Sequence, residues 1–246
     1  MKLDKALIEK IRSQLDSHLG VDLPPPKFKL ISDPQKYFQV YTGEKRKFSI
    51  KEMLALDEEV SVYYNDDIDA VIFKKFRRNG LKTFKVLSTQ SFDLAYILHE
   101  WIHSIQTKTG GYSKYDFFDE ACDETVTYVL TADMPHLSDY QDWVCKLWNF
   151  IDVVETRPGK KYELIRNYNV AENKTELADS WLKAFIEKYP RIASTKKALI
   201  KILEADYTEL DNYAYKILYK MDESMVTNYI YKLHDTAKES LYSIFR

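Results

Sequence analysis

The chain has 246 residues, 45% of them hydrophobic and 30% charged, with 36 basic against 38 acidic residues and a formal net charge of −2. That balance allows a sizeable buried core and excludes the basic excess of a protein drawn to nucleic acid or anionic membranes. No run approaches the roughly 18 apolar residues of a membrane span, and two cysteines, Cys122 and Cys145, do not make a disulfide scaffold.

Leu3, Leu7, Ile8, Ile11 and Leu15 recur at helical spacing between charges, so the first twenty residues read as an amphipathic helix, not a signal peptide. The expected location is therefore cytoplasmic, with leaderless export as the alternative. "DLPPPK" (22–27) stops that helix. A short strand is expected at "YFQVY" (37–41) and a helix at "SIKEMLAL" (49–56). "EVSVYY" (59–64), "DAVIFKKF" (69–76) and "LKTFKVLS" (81–88) read as three antiparallel strands, the last two joined through Asn79-Gly80.

From residue 91 the period becomes helical. Ser91 is a candidate N-cap, and Leu94, Ile97, Leu98, Ile102 and Ile105 make a buried stripe. "TKTGGYSK" is a loop, and "YDFFDEACDETVTYVLTAD" opens a second helix. Beyond Pro135 helices are expected at about 139–154, 174–189, 194–205, 207–220 and 222–244. The fold class is α+β: a small antiparallel sheet packed on two helices over 1–135, then an all-helical region over 136–246. Few glycines (6) against 19 tyrosines and 12 phenylalanines imply a rigid, aromatic-rich core.

One segment carries chemistry. His99-Glu100-Trp101-Ile102-His103 places two imidazoles at i and i+4, on one helix face, where both can reach a single ion. Glu100 lies beside them, placed to take a proton from water. Three polar groups at this spacing are costly to bury in a merely structural helix. A catalytic zinc needs a third protein ligand and an open position. The histidine-completed extension is absent, since Gln106 and Thr109 occupy its defining positions. Glu120 and Glu124, four apart on the next helix, are the candidate third ligands. The competing explanation is that Asp116, Asp119 and Glu120 are acids favoured near a helix N-terminus, which leaves Glu124 unexplained.

Over about residues 59–131 this arrangement resembles the gluzincins, the thermolysin-like zinc metallopeptidases. Their third ligand is a glutamate on a later helix, often within N-E-x-x-x-D; the matching run here is Asp119-Glu120-Ala121-Cys122-Asp123-Glu124. The resemblance implies His99, His103 and Glu120 as zinc ligands and Glu100 as general base. It implies Glu124 as the carboxylate that accepts a proton from a ligand histidine's far nitrogen. Asp119 for Asn and Glu124 for Asp depart from the pattern, and Glu124 remains the alternative ligand.

Donors for a developing oxyanion are sought at Tyr112, Tyr115, Tyr128 and His136. "LKTFKVLS" is the strand expected to hold an extended peptide. His18 and His234 lie in amphipathic helices and read as structural or solvent-facing. Cys122 falls about 200° around its helix from Glu120, which favours packing over ligation; a Cys122–Cys145 bridge stays open. The expected activity is zinc-dependent hydrolysis of a peptide or protein substrate. The alternative is a catalytically inactive zinc-binding scaffold on the same fold.

Overall fold

The computed structural model describes residues 4–59, 62–79, 83–87, 93–132 and 138–245. In chain order the elements are α1 (Lys5–Leu19), β1 (Lys27–Ile31), α2 (Pro34–Thr42), α3 (Ile50–Glu59), β2 (Val62–Asn65), β3 (Ala70–Lys74), β4 (Phe76–Arg78) and β5 (Phe84–Val86). There follow α4 (Leu94–Thr109), α5 (Asp116–Thr131), α6 (Ser138–Phe150), α7 (Pro158–Asn169), α8 (Lys174–Lys188), α9 (Lys196–Glu204), α10 (Asn212–Leu218) and α11 (Glu223–Phe245). The chain is thus mixed α and β with a helical C-terminal region. Its contacts divide it into two units, the described residues of Met1–Glu9 and Pro24–Ser104, and those of Lys10–Leu23 and Ile105–Arg246.

In the first unit the sheet is mixed, where three antiparallel strands over 59–88 were expected. Its order is β1-β3-β2: β1 runs parallel to β3, with Lys27 opposite Ala70, and β2 runs antiparallel, with Val62 opposite Phe73. β3, the middle strand, is buried from Ala70 to Phe73, the continuous apolar run of a strand covered on both faces. The run expected as one strand, 69–76, breaks at Lys75. β4 and β5 form a separate antiparallel pair, and Asn79 N–H donates to Thr83 O across its end. Gly80, half of the expected turn, lies outside the described residues.

The strand expected at 37–41 is helical, and the reason is local. Asp33 caps α2 by accepting from the N–H groups of Gln35 and Lys36, Pro34 fits the first turn, and Gly43 closes it at φ +72°. The helical turn sends Tyr37 and Phe38 into a core with Phe48, Met53, Tyr63, Ile72 and Phe76. Tyr37 meets Phe76 edge-on, ring centroids 5.4 Å apart. α3 opens with a reciprocal cap, in which Ser49 N–H donates to Glu52 and Glu52 N–H to the Ser49 hydroxyl.

The second unit is built around α5, whose residues 117–130 are buried apart from the half-buried Glu120. A helix apolar on nearly every side must be covered on every side, and α6, α7 and α11 pack against α5. The sequence pattern predicts no helix over 158–169. Pro158 at the first turn starts α7 there, and Tyr162, Ile165 and Tyr168 are its buried face. α10 is shorter than the helix expected over 207–220, because a 3-10 turn occupies Tyr207–Glu209. Among the described residues three lysines are buried with partners: Lys146 pairs with Asp142 at 2.6 Å, Lys161 pairs with Asp152 at 2.6 Å, and Lys174 donates to the Gln106 and Ala171 carbonyls.

His18 of α1 meets the Tyr162 hydroxyl at 2.5 Å, so it is structural. Burial, reinforced by the Arg166 charge, pushes its pKa down to about 4. The folded protein therefore keeps His18 neutral while the unfolded chain protonates it near 6.5, so stability falls as pH drops from about 6.5 to about 4. We expect His18→Gln to remove on the order of 2 kcal/mol of this acid loss, measured by urea unfolding at pH 7 and pH 4.5. Equal acid losses in variant and wild type would contradict this assignment.

Candidate metal centre

α4 begins where Asp93 accepts a hydrogen bond from Ala95 N–H; Ser91, the expected cap, lies outside the described residues. The helix is uninterrupted from Leu94 to Thr109 and buried on almost every face between Ile97 and Gln106. Ile97, Leu98, Trp101, Ile102 and Ile105 form the apolar part of that surface, and Trp101 meets Phe28 of β1 edge-on at 5.4 Å. His99, Glu100 and His103 are buried among them, 5%, 8% and 6% exposed. Burial of three such groups in one helical turn is what a merely structural helix avoids.

The two imidazoles face a common point. Their Nε2 atoms lie 3.2 Å apart with the rings at 89°. A tetrahedral ion bound through both nitrogens at about 2.05 Å would hold them about 3.3 Å apart, so the observed spacing fits. The ligand atoms of His99, His103 and Glu120 all lie within 4.8 Å of one another, the one such group of three among the described residues. Two imidazole nitrogens and one carboxylate oxygen could hold a metal ion there.

Glu100 is not one of the three. Its Oε2 accepts the Tyr64 main-chain N–H at 2.6 Å, which ties the carboxylate to β2, one of the two outer strands of the sheet. Asp69 supports the same region: its Oδ1 accepts from the Tyr64 hydroxyl at 3.0 Å and the Ser104 hydroxyl at 2.9 Å. It stands at φ +45°, a conformation that aspartate tolerates better than most residues. The strand touching Glu100 is therefore β2. β5, from the segment expected to hold substrate, pairs with β4 in the other sheet.

The remaining candidates are dispersed. Glu124, one turn beyond Glu120, is fully buried and is not in the group of three. Tyr112 is 43% exposed in the loop after α4. Tyr115 donates its hydroxyl to Asp179 of α8 at 2.5 Å. Tyr128 is buried, its ring edge-on to Tyr231. His136 lies outside the described residues. His234 is structural, its Nδ1 2.8 Å from the Val129 carbonyl.

Both cysteines are free and buried, so no Cys122–Cys145 bridge forms. Burial, followed by the charges of Asp119 and Asp123, pushes the Cys122 thiol well above its usual range, and a protonated thiol is a poor metal ligand. Sequence reading missed the Tyr64 main-chain donor and the Asp69 contacts, for which no local motif exists. Comparison with known proteins finds no matching family model, no matching curated protein and no matching solved structure.

Proposed function

We propose that the protein is a zinc-dependent peptidase of the gluzincin type, with His99, His103 and Glu120 holding the ion. The observation that carries this reading is the approach of those three ligand atoms to within 4.8 Å, with Glu100 beside the two histidines on α4. A mixed imidazole and carboxylate donor set suits zinc. A zinc ion supplies Lewis-acid polarisation and acidifies water toward neutral pH.

The chain's own contribution is the placement of a base. The Glu100 carboxylate takes a proton from the attacking water and delivers it to the leaving amine nitrogen. Its bond from Tyr64 N–H fixes the side chain before substrate arrives, so little orientational freedom remains to be lost during the reaction. The apolar wall of Ile97, Leu98, Trp101 and Ile102 excludes bulk water from that turn and strengthens each polar contact within it.

Glu100 also argues against an inactive scaffold, because a structural zinc site closes with four ligands and has no use for an adjacent base. Zinc-loaded protein should bind one equivalent of metal and cleave a random peptide library, and Glu120→Ala should lose most of both. A wild-type protein that binds zinc and leaves the library intact would overturn the peptidase reading.

A further inference from the structure

Glu120 stands on α5 between two residues whose backbones are gripped from elsewhere. On one side the Asp119 carbonyl accepts from Gln106 Nε2 at 3.1 Å; on the other the Cys122 carbonyl accepts from Asn169 Nδ2 at 3.1 Å. Gln106 Nε2 also donates to Asn169 Oδ1 at 2.6 Å, so one amide pair links the end of α4, the start of α5 and the end of α7. The Asp119 side chain adds a second grip. Its Oδ1 accepts from the Tyr168 hydroxyl at 2.9 Å, and its Oδ2 accepts from Ser113 N–H at 2.9 Å. Gln106, Tyr168 and Asn169 are fully buried and Asp119 is 3% exposed.

Such a network is costly to assemble and costly to leave half made. Simple packing of α7 on α5 needs none of it, since the Tyr168 ring already packs at a tilt against Phe118 and Trp181. What the polar groups add is direction. They fix the rotation of α5 about its own axis and its advance along it, the two variables that decide where the Glu120 carboxylate points. The grip is concentrated within two residues of Glu120, at Asp119 immediately before it and at Cys122 two positions after it.

We propose that Tyr168 and Asn169, at the C-terminal end of α7, are positioning residues that orient Glu120 as a metal ligand. The inference rests on the metal reading of His99, His103 and Glu120. It assigns a task to the helical C-terminal region: α7 serves the centre from outside the segment that resembles a peptidase.

Zinc affinity of the full chain, measured by competition with a chromophoric chelator, separates orientation from stability. Tyr168→Phe removes one hydroxyl and keeps the buried ring. We expect it to weaken zinc binding about tenfold, the usual cost of removing a partner that orients a ligand. Asn169→Asp, which loses the donor to Cys122, should act in the same direction. Tyr162→Phe is the control, since it deletes a hydroxyl from the same helix whose partner is His18. It should lower the unfolding midpoint of the metal-free protein and leave zinc affinity within about twofold. Equal weakening in Tyr168→Phe and Tyr162→Phe, in step with lost stability, would make the role merely structural and overturn the proposal. Unchanged affinity in Tyr168→Phe would overturn it too. A wild-type chain that takes up no zinc would overturn the metal reading and this inference with it, a result distinct from the other two.

Discussion

Glu100→Gln should keep zinc uptake within about twofold of wild type while lowering peptide cleavage about 100- to 10,000-fold, the range for a lost general base. The amide is nearly isosteric with the carboxylate, and its oxygen can still accept the Tyr64 N–H, so the local structure of β2 and α4 should persist. What disappears is a group able to hold a proton during the reaction. Because Glu100 is not in the group of three proposed as ligands, its loss should not release the metal. Cleavage unchanged in Glu100→Gln would remove Glu100 as base. Loss of both zinc and cleavage would make it a ligand instead.

The second large effect concerns the loop that joins α4 to α5. Gly110 has no room for a side chain: an added Cβ would lie 2.3 Å from the Glu172 carbonyl oxygen and 2.7 Å from that of Ala171. Both are main-chain atoms of the turn between α7 and α8, so neither can swing aside as a flexible side chain would. The same turn anchors the end of α4, because Lys174 donates to the Gln106 carbonyl at 3.1 Å and the Ala171 carbonyl at 2.9 Å. Gly110→Ala should therefore destabilise the protein by about 3 kcal/mol or more, the scale of overpacking where the neighbours are backbone. Gly111 is a contrast at the next position. It needs its glycine for a φ of +80°, with nothing within 4 Å of an added Cβ, and Gly111→Ala should cost about 1–2 kcal/mol. Urea unfolding of the two variants reads the difference, and a Gly110→Ala protein as stable as wild type would contradict the close approach.

The parts of this protein that were legible in the sequence are those whose physics is local. Four-residue spacing places His99 and His103 on one face of any helix that contains them, and the apolar period of α4 identifies that helix. The second acidic helix after a glycine loop put Glu120 and Glu124 forward together, and only the resemblance to the gluzincins set Glu120 ahead. The misread strand at 37–41 was also a local matter. An aromatic, alternating pentapeptide suited a strand, but Asp33, Pro34 and Gly43 supplied a cap, a first turn and a stop, and those signals outweighed the pattern. "TRPGKK" obscures α7, because Pro158 and Gly159 together carry the signature of a break, whereas Pro158 here fills the first turn of a helix. β1 was hidden for a different reason. Three of its five residues are exposed, so it carries no clean alternation, and its place in the sheet comes from parallel pairing with β3 some forty residues later.

The grip around Glu120 was beyond reach of any local rule. Tyr168 reaches Asp119 across 49 positions, and Gln106 reaches Asn169 across 63. Each of these residues, taken alone in the sequence, is an unremarkable polar side chain on a helix. Only the folded arrangement distinguishes them from solvent-facing neighbours of the same type.

The bond from Tyr64 to Glu100 has one more property. Its donor is a peptide N–H, and nineteen of the twenty amino acids carry that group at any position. Ordinary substitution at position 64 therefore leaves the hold on Glu100 in place, whatever it does to the hydroxyl that reaches Asp69. The contact is specified by the path of the chain and not by the identity of the side chain at that position. Proline alone, which lacks the hydrogen, would erase it.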